Sequence, residues 1–142
     1  MTGRILIAED EPFIVESLTF LLSRAGHEVS AVTEGPAVMQ ALQNKRPDLL
    51  ILDIMIPEMN GFDVLRQVRA NPDMSKLGVL VLSAKGQDTD RRLMNDLGAD
   101  DFVTKPFSNT DLVARVADLI AKRQGANTDA DTDADNAQDT VP

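Results

Sequence analysis

Along the first 123 residues, short apolar runs alternate with longer stretches in which apolar residues recur every third or fourth position. The runs fall at Arg4–Ala8, Glu28–Val32, Asp48–Asp53, Leu77–Ser83 and Asp101–Thr104. Three of them contain continuously apolar stretches: Ile5-Leu6-Ile7-Ala8, Leu49-Leu50-Ile51-Leu52 and Val79-Leu80-Val81-Leu82. Strands of that kind suit a parallel sheet covered on both faces, because neither side meets water. Between them the spacing predicts helices. The first carries Ile14, Leu18, Leu21, Leu22 and Ala25 on one stripe and stops at Gly26, a residue that tolerates the left-handed conformation of a helix end. The second starts after Gly35, with Pro36 in its first turn, where the missing N–H costs nothing. The third has Asn60 as its cap with Asp63 three residues on, the fourth runs from Asp88 to Gly98, and the fifth opens at Ser108. Five strand–helix repeats with short connections predict an α/β domain, a five-stranded parallel sheet with helices on both faces.

From residue 124 onward the periodicity ends, and Asp129, Asp131, Asp133, Asp135 and Asp139 alternate with small residues without a Lys or Arg. The expectation is a folded domain over 1–123 and a disordered acidic tail over 124–142. The alternating Thr128–Asp135 stretch lacks the glycine and closing glutamate of a calcium loop. The formal net charge of −9 argues against direct nucleic-acid binding. With no cysteine, disulfides and thiolate metal sites are excluded, and the one histidine, His27, removes any multi-His metal cluster and most Ser/His or Cys/His catalysis. No apolar run reaches membrane-spanning length and no signal peptide opens the chain, so the expected location is the cytoplasm. His27 reads as a surface turn residue and Asp48 as a loop acid.

In an open parallel sheet, sites form beyond the carboxyl ends of the strands. Those ends carry Glu9-Asp10-Glu11, Asp53-Ile54-Met55, Ser83-Ala84 and Lys105-Pro106. An acid closing a Leu-Leu-Ile-Leu run needs a polar reason to be there. If the first and third strands are neighbours, about 5 Å apart, Asp10 and Asp53 can share an ion. Lys105 would then start roughly 10 Å from Asp53 at the backbone, a gap its side chain can cover. Crowded carboxylates call for a cation, and Mg²⁺, hard and oxygen-seeking, is the apt one. Glu9, Asp10 and Asp53 can hold it, and Asp53 can act as nucleophile toward a phosphoryl group. Lys105 can offset the added charge while Ser83 bonds a phosphoryl oxygen.

Glu9-Asp10, Asp53-Ile-Met-Ile-Pro57-Glu-Met-Asn-Gly61, Ser83-Ala84 and Lys105-Pro106-Phe107 resemble the signature of response-regulator receiver domains of two-component systems. The resemblance spans about residues 3–123 and implies strand order 2-1-3-4-5. It implies phosphorylation of Asp53 by a histidine kinase or phosphotransfer protein, with Mg²⁺ on Glu9, Asp10, Asp53 and the backbone carbonyl of Met55. It makes Ser83 and Phe102 the switch pair and Lys105 the phosphate contact, and it suggests a cis bond before Pro106. Met55 and Lys85 match positions that tune phosphate lifetime. Residues 88–115 are similar to the OmpR/PhoB subfamily, which implies homodimerisation through a face bearing Arg91, Asp100, Asp101, Asp111 and Arg115. That subfamily adds a DNA-binding domain where this chain shows only an acidic stretch. The expectation is therefore a stand-alone receiver acting on a downstream protein.

Three rivals are weaker. A haloacid-dehalogenase-type phosphatase needs an acid two residues after the nucleophile, and Met55 stands there. A flavodoxin-like flavin binder needs a Ser/Thr/Gly phosphate loop where Glu9-Asp10-Glu11 lies, and no P-loop motif occurs. A pseudo-receiver that never takes phosphate would not need the complete residue set.

Overall fold

The computed structural model describes residues 2–84 and 88–132. Its strands are β1 (Arg4–Ala8), β2 (Glu28–Val32), β3 (Leu49–Asp53), β4 (Gly78–Ala84) and β5 (Asp101–Lys105). The helices are α1 (Pro12–Arg24), α2 (Gly35–Asn44), α3 (Gly61–Ala70), α4 (Asp88–Asp96) and α5 (Asn109–Thr132). The strands form one parallel sheet in the order β2-β1-β3-β4-β5, as expected.

The unbroken apolar runs are explained by the two faces of the sheet. Alternate residues Leu6, Leu50, Leu52, Val79 and Val81 pack beneath α2, α3 and α4 against Val38, Leu42, Val64, Leu65, Val68 and Met94. Their neighbours Ile5, Ile7, Leu49, Ile51, Leu80 and Leu82 pack on the other face against Leu18 and Leu22 of α1 and Leu112, Val116 and Ile120 of α5. A strand buried on both sides has no position where a polar residue would be free of a desolvation cost.

Helix ends are closed by the residues that the sequence marks. After α1, Gly26 takes φ 98 while the amides of Gly26 and His27 donate to the carbonyls of Ser23 and Leu22 at 3.0 and 3.1 Å. Gly98, at φ 99, ends α4 with the same paired hydrogen bonds, so both helices stop in Schellman motifs. Asn60 and Ser108 cap α3 and α5, their side-chain oxygens accepting from the amides of Asp63 and Asp111 at 3.1 and 3.2 Å.

Two expectations need correction. His27 is buried, not a surface residue; its Nδ1 accepts the Gly3 amide at 3.1 Å, so the ring ties the start of β1 to the α1–β2 turn. Burial, aided by the nearby N-terminal charge, lowers its pKa from the ordinary 6.5. Helix α5 continues to Thr132, past the boundary expected at residue 123. The extension builds on the packed Leu112–Ile120 segment, because adding a residue to an existing helix avoids the cost of nucleation. Residues 133–142, the rest of the expected tail, and Lys85 lie outside the described residues. Asp48 is a loop acid that also holds the fold together, because its Oδ2 accepts the Arg4 amide at 2.8 Å. Among the described residues no helix is long and apolar enough to cross a membrane.

Candidate functional site

The parallel order places every strand's carboxyl end on one edge, and there β1, β3 and β5 supply the charged groups. Asp53 closes β3 with 4% of its surface exposed, and Glu9, just beyond β1, has none. Lys105 closes β5 and reaches across β4 to both, its Nζ lying 3.0 Å from Asp53 Oδ2 and 3.2 Å from Glu9 Oε1. The remaining carboxylate oxygens are also occupied. Asp53 Oδ1 accepts the Met55 amide at 3.0 Å, and Glu9 Oε2 accepts the Glu11 amide at 3.1 Å. These bonds fix the carboxylates before any ligand arrives.

Asp10 is exposed, and one carboxylate oxygen from each of Glu9, Asp10 and Asp53 lies within 4.8 Å of the others. Three carboxylates face one ammonium, and the imbalance is felt by the most buried acid. Burial first, and then the adjacent Asp53 carboxylate, push Glu9 up to about 7, against the opposing pull of the Glu11 amide and Lys105. Burial alone would lower Lys105, but its hydrogen bond and charge contact with Asp53, joined by those of Glu9, outweigh it and raise the ammonium. An all-oxygen donor set with excess negative charge fits a hard divalent cation. Ser83, fully buried near the end of β4, leaves its Oγ without a hydrogen-bond partner. Such a group carries a desolvation cost in this state and has a hydrogen bond to gain from a ligand. Ala84 follows, exposed and in register with Lys105, and the Lys105–Pro106 bond is cis.

On the α4–β5–α5 side, Arg115 joins Asp101 at 2.7 Å and Asp111 at 2.9 Å, and these hydrogen bonds raise its pKa. Arg91 lies over the Phe102 ring, 5.4 Å from its centroid, while Phe102 packs half-buried against the α2–α4 core. Asp100 does not join this group. Its Oδ2 accepts the Val79 amide at 2.8 Å and Arg69 Nη2 at 3.2 Å. Arg69, at the end of α3, also donates to the carbonyls of Gly98, Ser75 and Leu77. Sequence reading missed Arg69, because an arginine in the last turn of a helix reads as a surface charge favoured by the helix dipole.

A doubly covered parallel sheet with an acidic, lysine-bridged pocket at its carboxyl edge defines a phosphoacceptor signalling module. The response regulator receiver domain family matches residues 5–117, and the chain belongs to that family. Receiver domains of this kind take phosphoryl groups from histidine kinases in two-component systems. The sensory transduction protein RegX3 of Mycobacterium tuberculosis is 38% identical over 127 residues, covering 89% of this chain and 54% of the relative. The chain thus spans about half the length of the curated relatives it matches. The signal receiver domain of a signal transduction histidine kinase from Syntrophus aciditrophicus superposes with a TM-score of 0.79 at 34% identity, covering 84% of this chain and 91% of that one. The receiver domain of the sensor histidine kinase PA1611 from Pseudomonas aeruginosa, solved with a magnesium ion coordinated in its active site cleft, shares the fold with a TM-score of 0.78 at 24% identity. That match covers 85% of this chain and 99% of that one.

Proposed function

We propose that Asp53 is the phosphoacceptor, that Glu9, Asp10, Asp53 and the Met55 carbonyl hold Mg²⁺, and that Ser83 and Lys105 receive the phosphoryl oxygens. The observation that carries this reading is the Lys105 ammonium at 3.0 Å from Asp53, beside the Glu9–Asp10–Asp53 carboxylate cluster. Bound there, the metal would neutralise charge on the transferring phosphoryl group. Attack by an Asp53 carboxylate oxygen forms a P–O bond as the P–N bond to a donor imidazole breaks, and the imidazole leaves with its electron pair and takes a proton. The acyl phosphate carries up to about two negative charges. Lys105 is placed to pair with them, and the unpartnered Ser83 hydroxyl has a bond to gain. The coordinated magnesium of the PA1611 receiver supports the choice of ion.

The donor is a histidine kinase or phosphotransfer protein, and the cytoplasm, where ATP-derived phosphoryl groups form, is the compartment this reading requires. Output leaves through the α4–β5–α5 face to a downstream protein. Ser83 moves toward the phosphoryl group, Phe102 turns into the released space, and a groove of about 300 Å³ lined by Arg91, Arg92, Asn95 and Phe102 changes shape. Self-association through the same face would use Asp101, Asp111 and Arg115, which must first exchange their internal bonds, whereas Asp100 is engaged with Arg69. A shift of this kind is bounded by the differential stabilisation of the two states.

Intact-mass measurement after acetyl phosphate and Mg²⁺ tests the assignment. The native chain should gain one phosphoryl group and Asp53→Asn none; equal labelling of both would remove Asp53 from the role. Phe102→Ala should keep phosphorylation and weaken capture of the downstream protein by the phosphorylated chain.

A further inference from the structure

We infer that Gly35, at the β2–α2 corner, is a positioning residue for the loop that carries the Met55 carbonyl, an inference that rests on the metal site proposed above. The corner contributes no side chain to the acidic pocket, yet it is bonded to both loops that form it. The Val32 carbonyl accepts the Glu9 amide at 3.1 Å, and the Gly35 amide donates to the Pro57 carbonyl at 3.1 Å. Since β1 lies between β2 and β3, this contact straps the β1–α1 and β3–α3 loops together from the sheet edge.

Only glycine fits there. A Cβ at Gly35 would overlap the carbonyl oxygen and Cβ of Met59, and Gly35 is buried against that backbone. The reason for so close an approach is the turn it supports. The Pro57 carbonyl also accepts the Met59 amide at 2.9 Å, closing a three-residue turn around Glu58, whose φ is 73°. A non-glycine residue at positive φ is strained, and such strain persists where the surroundings over-determine it. The Gly35 amide supplies that second hold on the same carbonyl. At the base of the loop, the Gly61 amide donates to the Ile54 carbonyl at 2.9 Å, and a Cβ at Gly61 would come within 2.8 Å of the Asp53 carbonyl. Met55 lies between these two pins, so the strap fixes where its carbonyl stands relative to Asp53 and Glu9.

The test is Mg²⁺ affinity of the full chain by calorimetry or amide chemical shifts, since the sequence has no Trp or Tyr to report by fluorescence. Metal-free melting is measured beside it. Residues that orient ligands without touching the metal typically change affinity by about tenfold or more, and Gly35→Ala should weaken binding by about that factor. At the exposed position 58, two uncharged variants differ in their tolerance of positive φ. Glu58→Gly should bind Mg²⁺ several-fold more tightly than Glu58→Val, on the order of threefold or more. Wild-type affinity in Gly35→Ala, or equal affinities of the two position-58 variants, overturns the inference even if melting temperatures differ. If Gly35→Ala does not fold, the position-58 pair alone decides. A native chain that shows no Mg²⁺ response refutes the metal site itself and this inference with it, whereas native binding with unresponsive variants refutes the inference alone.

Discussion

Ser83 makes the sharpest claim about how this domain is poised, because its hydroxyl is wholly buried and unpartnered. A buried hydroxyl that has left water without a replacement bond costs about 1–3 kcal/mol. Ser83→Ala removes that cost together with one oxygen's worth of packing, so the unphosphorylated variant should be more stable by about 1 kcal/mol. For a domain of this size that raises the melting temperature by about 3–5 °C. The phosphoryl-bound state should respond in the opposite direction. There the hydroxyl would donate to an anionic oxygen, a bond worth about 1.5–3 kcal/mol, and alanine cannot make it. Binding of a phosphoryl analogue should therefore weaken by about tenfold or more. The assay is paired melting of native and Ser83→Ala protein, metal-free and then with Mg²⁺ and beryllofluoride. The curves should cross, with the variant higher when free and its ligand-induced increment smaller. A variant that melts lower when free and keeps the full increment would refute the reasoning, since the hydroxyl would then already be bonded inside the resting protein.

Other perturbations test the surrounding framework. Lys105→Met leaves Glu9 and Asp53 face to face without their ammonium and should cost roughly 3 kcal/mol in urea unfolding near neutral pH. The low end of the usual range applies because Glu9, pushed up to about 7, can relieve the repulsion by holding a proton. Arg69→Met removes the donors that join α3 to the Ser75, Leu77 and Gly98 carbonyls and to Asp100. It should cost about 2–4 kcal/mol and hasten amide exchange in the Gly98–Asp100 turn while leaving phosphorylation of Asp53 in place. The His27 pKa is lowered below its ordinary 6.5, so the unfolded chain takes up the proton first as the pH falls. Stability from this group is complete above about pH 6.5 and is lost as the pH drops through the folded value. In denaturant melts between about pH 7.5 and about pH 5.5, His27→Gln should remove that share of the slope.

The elements and the chemistry of the pocket were written in the order of residues. Unalternated runs such as Leu49–Leu52 admit only a strand covered on both faces, and an aspartate at the end of one needs a polar partner at the carboxyl edge of the sheet. Spacing and periodicity left open which strands are neighbours, and only the resemblance of the motifs to receiver domains implied the order that the sheet has. The order β2-β1-β3-β4-β5 sets Glu9 beside Asp53 and makes Lys105 span one strand to bond both. Side-chain contacts between distant segments were hidden. His27 looks like a turn residue until the Gly3 amide is found on its ring, and Asp100 looks like a surface acid until Arg69 reaches it from α3. Local sequence determines hydrogen bonds that close within a few residues, which is why caps and helix stops were legible. Bonds between residues dozens of positions apart depend on the packing of the whole sheet, and only the folded molecule decides them.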